Sequence, residues 1–156
     1  KYENLLVVQT FSKSRSLAGL RIGYAMGSPE LIRALHDVKY SFNSYTMNQP
    51  SILLGAASVE DDDYFKEMTG KIIATREWFK DEMRSLGFTF PDSKANLLFA
   101  THESVPACEI FEAARAENIY VRYFPKERID NYLRITIGTD EEMERLLAFL
   151  REYLGR

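Results

Sequence analysis

Cysteine is nearly absent: Cys108 is the only one in the 156-residue chain. A single thiol excludes an internal disulfide and fits a reducing, cytoplasmic setting. Histidine is scarce as well. His36 and His102 have no ligand-like spacing to each other or to Cys108, so no metal site is expected. No apolar run approaches the length of a membrane span, and the N-terminus carries no secretory pattern. Nor does one charge dominate. Lysine and arginine total 20 against 23 acidic side chains, giving a net charge of −3. With no basic stripe, neither nucleic acid nor a membrane is expected as a partner. Internal repeats and low-complexity tracts are missing too.

What the chain does contain is enough apolar material for a core, 46% of its residues. Leu5-Leu6-Val7-Val8 is a continuous apolar run, the pattern of a strand buried on both faces of a parallel sheet. Ile22-Gly23-Tyr24-Ala25-Met26 reads as its nearby second strand. So little else could cover that sheet that the chain reads as starting inside a larger α/β domain. Gly27-Ser28-Pro29 supplies an N-cap and a first-turn proline for a helix over residues 29–39. Residues 41–48 read as a loop. A second helical period starts at Gln49 and breaks at Asp61-Asp62-Asp63, a solvated turn.

A long amphipathic helix is expected over residues 64–86, with Met68, Ile72, Thr75, Phe79 and Met83 on one stripe and Gly87 as C-cap. Tyr64, Phe65 and Trp78 on the same helix read as packing residues. Strands follow at 88–90 and 95–100, a helix at 106–117, then strands near 120–122 and 132–137. Thr139-Asp140-Glu141-Glu142 opens a final helix ending near Leu154 with a capping-box pattern. That order describes an α+β sandwich with a small, largely antiparallel sheet. Three regions are therefore expected: an α/β segment over 1–60, a long connecting helix over 61–86, and an α+β small domain over 87–156.

The densest chemical signal is Thr10-Phe11-Ser12-Lys13-Ser14-Arg15-Ser16-Leu17-Ala18-Gly19-Leu20-Arg21-Ile22-Gly23-Tyr24. A lysine that must form an imine with an aldehyde cofactor needs a fixed place at the end of a rigid element. An arginine nearby can hold a phosphate dianion through its planar fork of donors, with hydroxyls adding hydrogen bonds. Lys13 and Arg21, with Thr10 and Ser12 beside them, are such parts. Arg15 reads as a solvated loop residue.

This segment resembles the cofactor-lysine signature of the class I/II (fold type I) pyridoxal-phosphate aminotransferases, and within them the histidinol-phosphate aminotransferase group. The resemblance implies that Lys13 forms the imine with pyridoxal 5'-phosphate and then moves the proton on the substrate α-carbon. It implies that Arg21, with Thr10 and Ser12, binds the cofactor phosphate. It also implies that residues 1–60 are the C-terminal part of a cofactor-binding large domain.

Tyr132-Leu133-Arg134-Ile135-Thr136-Ile137-Gly138-Thr139 is similar to the strand on which that family carries its substrate-binding arginine. A fixed guanidinium at a strand exit grips a carboxylate through two parallel bonds. Arg134, flanked by leucine and isoleucine, is expected on a buried strand, where a charge needs a partner. Arg122 resembles the second arginine near the substrate phosphate, and Asn96 the small-domain asparagine on the substrate side. Phe42-Asn43-Ser44-Tyr45 resembles a segment near the family's subunit interface, with Ser41 in place of the usual proline.

The family's aspartate for the pyridine nitrogen, its ring-stacking aromatic and its glycine-rich phosphate turn lie upstream of the lysine. Asp37 and Asp130 do not match them. The resemblance thus implies a C-terminal portion of a homodimeric aminotransferase, exchanging an amino group between histidinol phosphate, or a similar amine, and a 2-oxo acid. A threonine-phosphate decarboxylase-like enzyme, an aromatic-amino-acid aminotransferase and a catalytically inert isolated module are the alternatives.

Overall fold

The computed structural model describes residues 2–155. The chain divides into two compact units, the first ending at Thr69 and the second starting at Gly70.

In the first unit, strand β1 (Val7–Thr10) pairs with β2 (Gly23–Met26). The pairing is antiparallel, with Val7 opposite Met26 and Thr10 opposite Gly23. This corrects the parallel sheet expected from the apolar run. The two strands are joined by turns and a single 3-10 turn, Ala18–Leu20, rather than by the crossover helix a parallel pair needs. Leu5 and Leu6 precede the strand, and Val8 is 66% exposed among the described residues.

Helix α1 (Pro29–Phe42) starts at Ser28, whose side chain accepts from the Leu31 N–H. It runs further than expected because nothing in Tyr40-Ser41-Phe42 breaks it. The Ser41 hydroxyl donates to the Asp37 carbonyl at 2.7 Å, and Asn43 closes the end with its N–H on the Lys39 carbonyl. Helix α2 (Gln49–Glu60) starts at Asn48, whose side chain accepts from the Ser51 N–H at 2.8 Å. Helix α3 (Asp62–Ser85) follows directly, its first turn carrying Asp62 and Asp63 where the helix dipole favours negative charge. The acidic run therefore opens a helix as well as ending one.

The second unit is built on four antiparallel strands in the order β3 (Phe88–Thr89), β4 (Leu97–His102), β6 (Leu133–Thr136), β5 (Arg122–Tyr123). Helices α4 (Ala107–Ala116) and α5 (Asp140–Leu154) and the later turns of α3 pack on one face of this sheet. Leu98, Ala100, Leu133 and Ile135 point into that core with Phe79, Met83, Ile110, Leu147 and Leu150. Alternate positions face the other way, so β6 reads buried, exposed, buried, exposed.

Gly87 takes φ +88° after α3, where a Cβ would meet the Glu103 carboxylate at 2.8 Å. Thr139 and Glu142 form the complete capping box at the start of α5. Two of the expected packing aromatics are instead open: Tyr64 is 60% exposed and Trp78 36%. They flank the buried stripe of α3 rather than lie on it.

Candidate functional site

Two groups of residues are candidates for a site, one in each unit. In the first, the β1–β2 ladder continues one bond past its strands, with the Phe11 N–H donating to the Ile22 carbonyl at 3.1 Å. Phe11 and Ile22, both 7% exposed, form the apolar footing of the loop between them. Phe11 also meets Tyr24 edge to face at 5.7 Å. The chain then turns over Ser12–Arg15, closed by Ser16 N–H on the Lys13 carbonyl and Leu17 N–H on the Phe11 carbonyl, each at 3.1 Å.

After the 3-10 turn, Arg21 takes a left-handed conformation, φ 56°, and its Nη1 donates to the Ala18 carbonyl at 2.9 Å. Lys13 and Arg21 therefore project from one loop at one end of one ladder. Both are exposed. Neither makes an ion pair with a carboxylate among the described residues. Thr10 ends β1, opposite Gly23, and Ser12 opens the turn.

Arg15 is not the solvated residue expected. It is half-buried, with its guanidinium 4.2 Å from the centroid of the Phe65 ring and 5.8 Å from that of Phe11. Its Nη1 donates to the Ser58 carbonyl in the last turn of α2.

In the second unit, Arg122 and Arg134 stand directly opposite each other in the β5–β6 register. The strand of Arg134 is buried on one face only. Leu133 and Ile135 are 1% and 2% exposed, whereas Arg134 lies on the open face, a correction to the buried arginine expected. Alternation, not burial, explains its apolar neighbours. Both guanidiniums lie over the Phe124 ring, at 5.3 and 5.6 Å. Neither pairs with a carboxylate among the described residues. Phe99, across β4 from Arg134, stacks on Tyr132 at 4.6 Å. Like charges placed opposite each other repel, so a face that carries two of them gains from an anion between them.

Asn96 sits just before β4, its backbone carbonyl accepting from the Ile137 N–H at 2.9 Å. The loop leading to it is gripped by two basic residues of α3 that motif reading passed over. Lys80, 1% exposed, donates to Asp92 and to the Ser93 carbonyl, each at 2.8 Å, and to the Glu77 carboxylate at 3.2 Å. Arg76, 5% exposed, donates to the Ala95 carbonyl at 3.1 Å and to Glu77. Hydrogen bonds from Arg76 and then Lys80 hold the Glu77 carboxyl below its ordinary range, and those from Lys80 and Lys94 do the same for Asp92. Their positions, one turn apart beside the Thr75–Phe79–Met83 stripe, are the signal that could have revealed them. No cluster of side chains among the described residues could hold a metal ion.

A two-unit α/β chain with a lysine–arginine loop at a strand end and an arginine pair on a small antiparallel sheet belongs to the pyridoxal-phosphate transferase fold. The sequence matches the aminotransferase class I and II family over residues 1–150, and the chain is a member of that family. It is 53% identical over 156 residues to the histidinol-phosphate aminotransferase of Lactococcus lactis, covering 100% of this chain and 43% of that protein. To the enzyme of that name from Clostridium botulinum strain Okra it is 48% identical, covering 99% of this chain and 44% of the relative. The chain thus spans less than half the length of these relatives. The crystal structure of histidinol-phosphate aminotransferase from Sinorhizobium meliloti in complex with pyridoxal-5'-phosphate superposes with a TM-score of 0.79. The identity there is 27%, over 98% of this chain and 42% of the other.

Proposed function

We propose that this chain supplies the lysine, phosphate-anchor and substrate-anion parts of a pyridoxal-phosphate-dependent aminotransferase acting on histidinol phosphate or a closely similar amine and a 2-oxo acid. The reading rests above all on one observation. Lys13 and Arg21 share a loop pinned at both ends by the β1–β2 ladder, and neither charge is neutralised by a carboxylate among the described residues.

The donor set fits the cofactor. Arg21 presents a guanidinium to a phosphate dianion, and the Thr10 and Ser12 hydroxyls, which make no hydrogen bond with the described residues, can add two donors. Lys13 offers a primary amine three residues past the strand end. When bound, pyridoxal phosphate supplies an aldehyde and an electron-withdrawing ring. Lys13 Nζ is the base that takes the proton from the substrate α-carbon and the acid that returns one. Arg134 and Arg122 bind the anionic end of the substrate, and two guanidiniums suit a dianionic phosphate better than a lone carboxylate. Asn96 contributes a polar contact on the substrate side.

Residues 1–60 then belong to the cofactor-binding large domain, 61–86 to the interdomain helix and 87–156 to the small domain. The whole protein is a homodimer in this reading, which rests on the likeness of Phe42-Asn43-Ser44-Tyr45 to the family's interface segment. Its place is the cytoplasm, in keeping with a free, exposed Cys108. No helix among the described residues is long and apolar enough to cross a membrane.

The test is borohydride reduction of the protein mixed with pyridoxal phosphate, followed by peptide mapping and product analysis with histidinol phosphate and 2-oxoglutarate. Selective modification of Lys13 with amino transfer supports the reading. Modification scattered over other lysines, or carbon dioxide release from threonine phosphate with no amino transfer from histidinol phosphate, overturns it.

A further inference from the structure

The loop that carries Lys13 and Arg21 is fastened to α2 at three points, none of which the cofactor motif accounts for. Ser51, 2% exposed, donates its hydroxyl to the Leu20 carbonyl at 3.0 Å, immediately before Arg21. Gly55 faces Ile22, and a Cβ there would stand 2.8 Å from Ile22 Cδ1. The Ser58 carbonyl receives Arg15, two residues after Lys13. Ser51, Gly55 and Ser58 follow the i, i+4, i+7 spacing of one helix face. Ser51 and Gly55 are the buried residues of α2, while Ile52, Leu53 and Leu54 are 46%, 60% and 53% exposed. The buried side of the helix is therefore the side that meets the loop.

The Arg15 contact is chemically pointed. Ser58 lies in the last turn of α2, where backbone carbonyls have no partner further along the helix and the dipole favours a cation. The guanidinium lies over the Phe65 ring, 4.2 Å from its centroid, while Nη1 reaches the carbonyl, so the ring and the helix end hold it together. No carboxylate pairs with it among the described residues. It ties the lysine turn to α2 and to the first turn of α3 at once.

We propose that α2 sets the separation of Lys13 from Arg21, and that Arg15 and Ser51 are the positioning residues through which it does so. Ser51 fixes the arginine side of the loop, Arg15 the lysine side, and the rigid helix between them holds the two at constant spacing. The inference rests on the assignment of Lys13 and Arg21 to one cofactor. A lysine amine and a phosphate-binding arginine that grip opposite parts of one molecule lose affinity when their spacing drifts.

The experiment measures cofactor dissociation and the pH titration of the visible absorbance of bound pyridoxal phosphate, in the whole protein, for Arg15→Met, Arg15→Lys, Phe65→Leu and Ser51→Ala. Arg15→Met is expected to weaken cofactor binding on the order of tenfold, as loss of an orienting contact does elsewhere, and to move the titration midpoint. Arg15→Lys, which keeps the charge and a donor to Ser58, recovers part of the affinity. Phe65→Leu shifts both readouts in the same direction with Arg15 still present, and carries the test if Arg15→Met fails to fold. A lowered melting temperature of the cofactor-free variants with unmoved affinity and midpoint overturns the inference and leaves Arg15 a fold residue. If borohydride mapping of the parent instead finds the cofactor on another lysine, the reading of Lys13 falls first.

Discussion

Arg122 and Arg134 face each other across the β5–β6 ladder with the Phe124 ring beneath both guanidiniums. Cross-strand neighbours of like charge destabilise a sheet by roughly 0.2–1 kcal/mol, so this arrangement is a weakness until an anion fills it. Arg134→Leu is therefore expected to raise the stability of the anion-free chain by a few tenths of a kcal/mol. Phosphate should raise the melting temperature of the parent and leave that of the variant nearly unmoved. Thermal melts with and without phosphate check both statements. An equal response of the two proteins would remove the pair from the anion site.

Lys13 is the proton-transfer group of the proposed reaction. Lys13→Ala in the whole protein should lower kcat by at least the 10²–10⁴-fold that general acid–base catalysis contributes, because no other amine stands on that loop. Single-turnover kinetics with histidinol phosphate measure it. Arg134→Ala should act mainly on KM. A Lys13→Ala enzyme turning over at the parent rate would sink the assignment.

Lys80 predicts a pH effect. Glu77 and Asp92 titrate below the ordinary carboxylate range in the fold because Arg76, Lys80 and Lys94 hydrogen-bond to their charged forms. A depressed folded value means that the stability they add is present above the unfolded carboxylate range and is lost as pH falls through the folded value. Lys80→Met removes a donor from Asp92, Glu77 and the Ser93 carbonyl together. Urea titration at neutral pH should show a lower stability for the variant, because the Ser93 carbonyl and two solvent-exposed carboxylates lose their shared donor. The same titration at a pH below the ordinary carboxylate range should show a smaller difference, since protonated carboxylates no longer gain from the lysine.

How far the sequence reached depended on whether the information was local. The loop between β1 and β2 was legible because Thr10, Ser12, Lys13 and Arg21 lie within one stretch, and the capping box of α5 because Thr139 and Glu142 are three residues apart. The antiparallel order of the second unit followed from strands joined by short connections and single helices. What escaped was set at a distance. The direction of β1 depended on the connection to β2, not on its own apolar run. Arg134 looked buried because Leu133 and Ile135 are, yet period-two alternation puts it on the opposite face. Arg15 and Lys80 carried no signal of their partners, Ser58 and Phe65 in one case and Asp92 and Ser93 in the other, because those contacts join separate elements.

His102 offers a prediction about the fold alone. It is 5% exposed, and its Nε2–H donates to the Leu86 carbonyl at 2.9 Å while Nδ1 accepts from the N–H groups of Ser104 and Val105. The tautomer follows from the partners: a carbonyl needs a donor and two N–H groups need an acceptor. The ring, edge-on to Phe88 at 4.9 Å, thus ties the end of α3 to the turn before α4. His102→Phe keeps a flat ring, somewhat larger, and removes all three bonds. Denaturant unfolding should show a loss of about 1–3 kcal/mol, the range for buried donors and acceptors left unpaired. Cofactor labelling at Lys13 should be unchanged, because that loop belongs to the other unit. A variant as stable as the parent would mean that the three backbone groups find other partners or water, and that the histidine is replaceable packing.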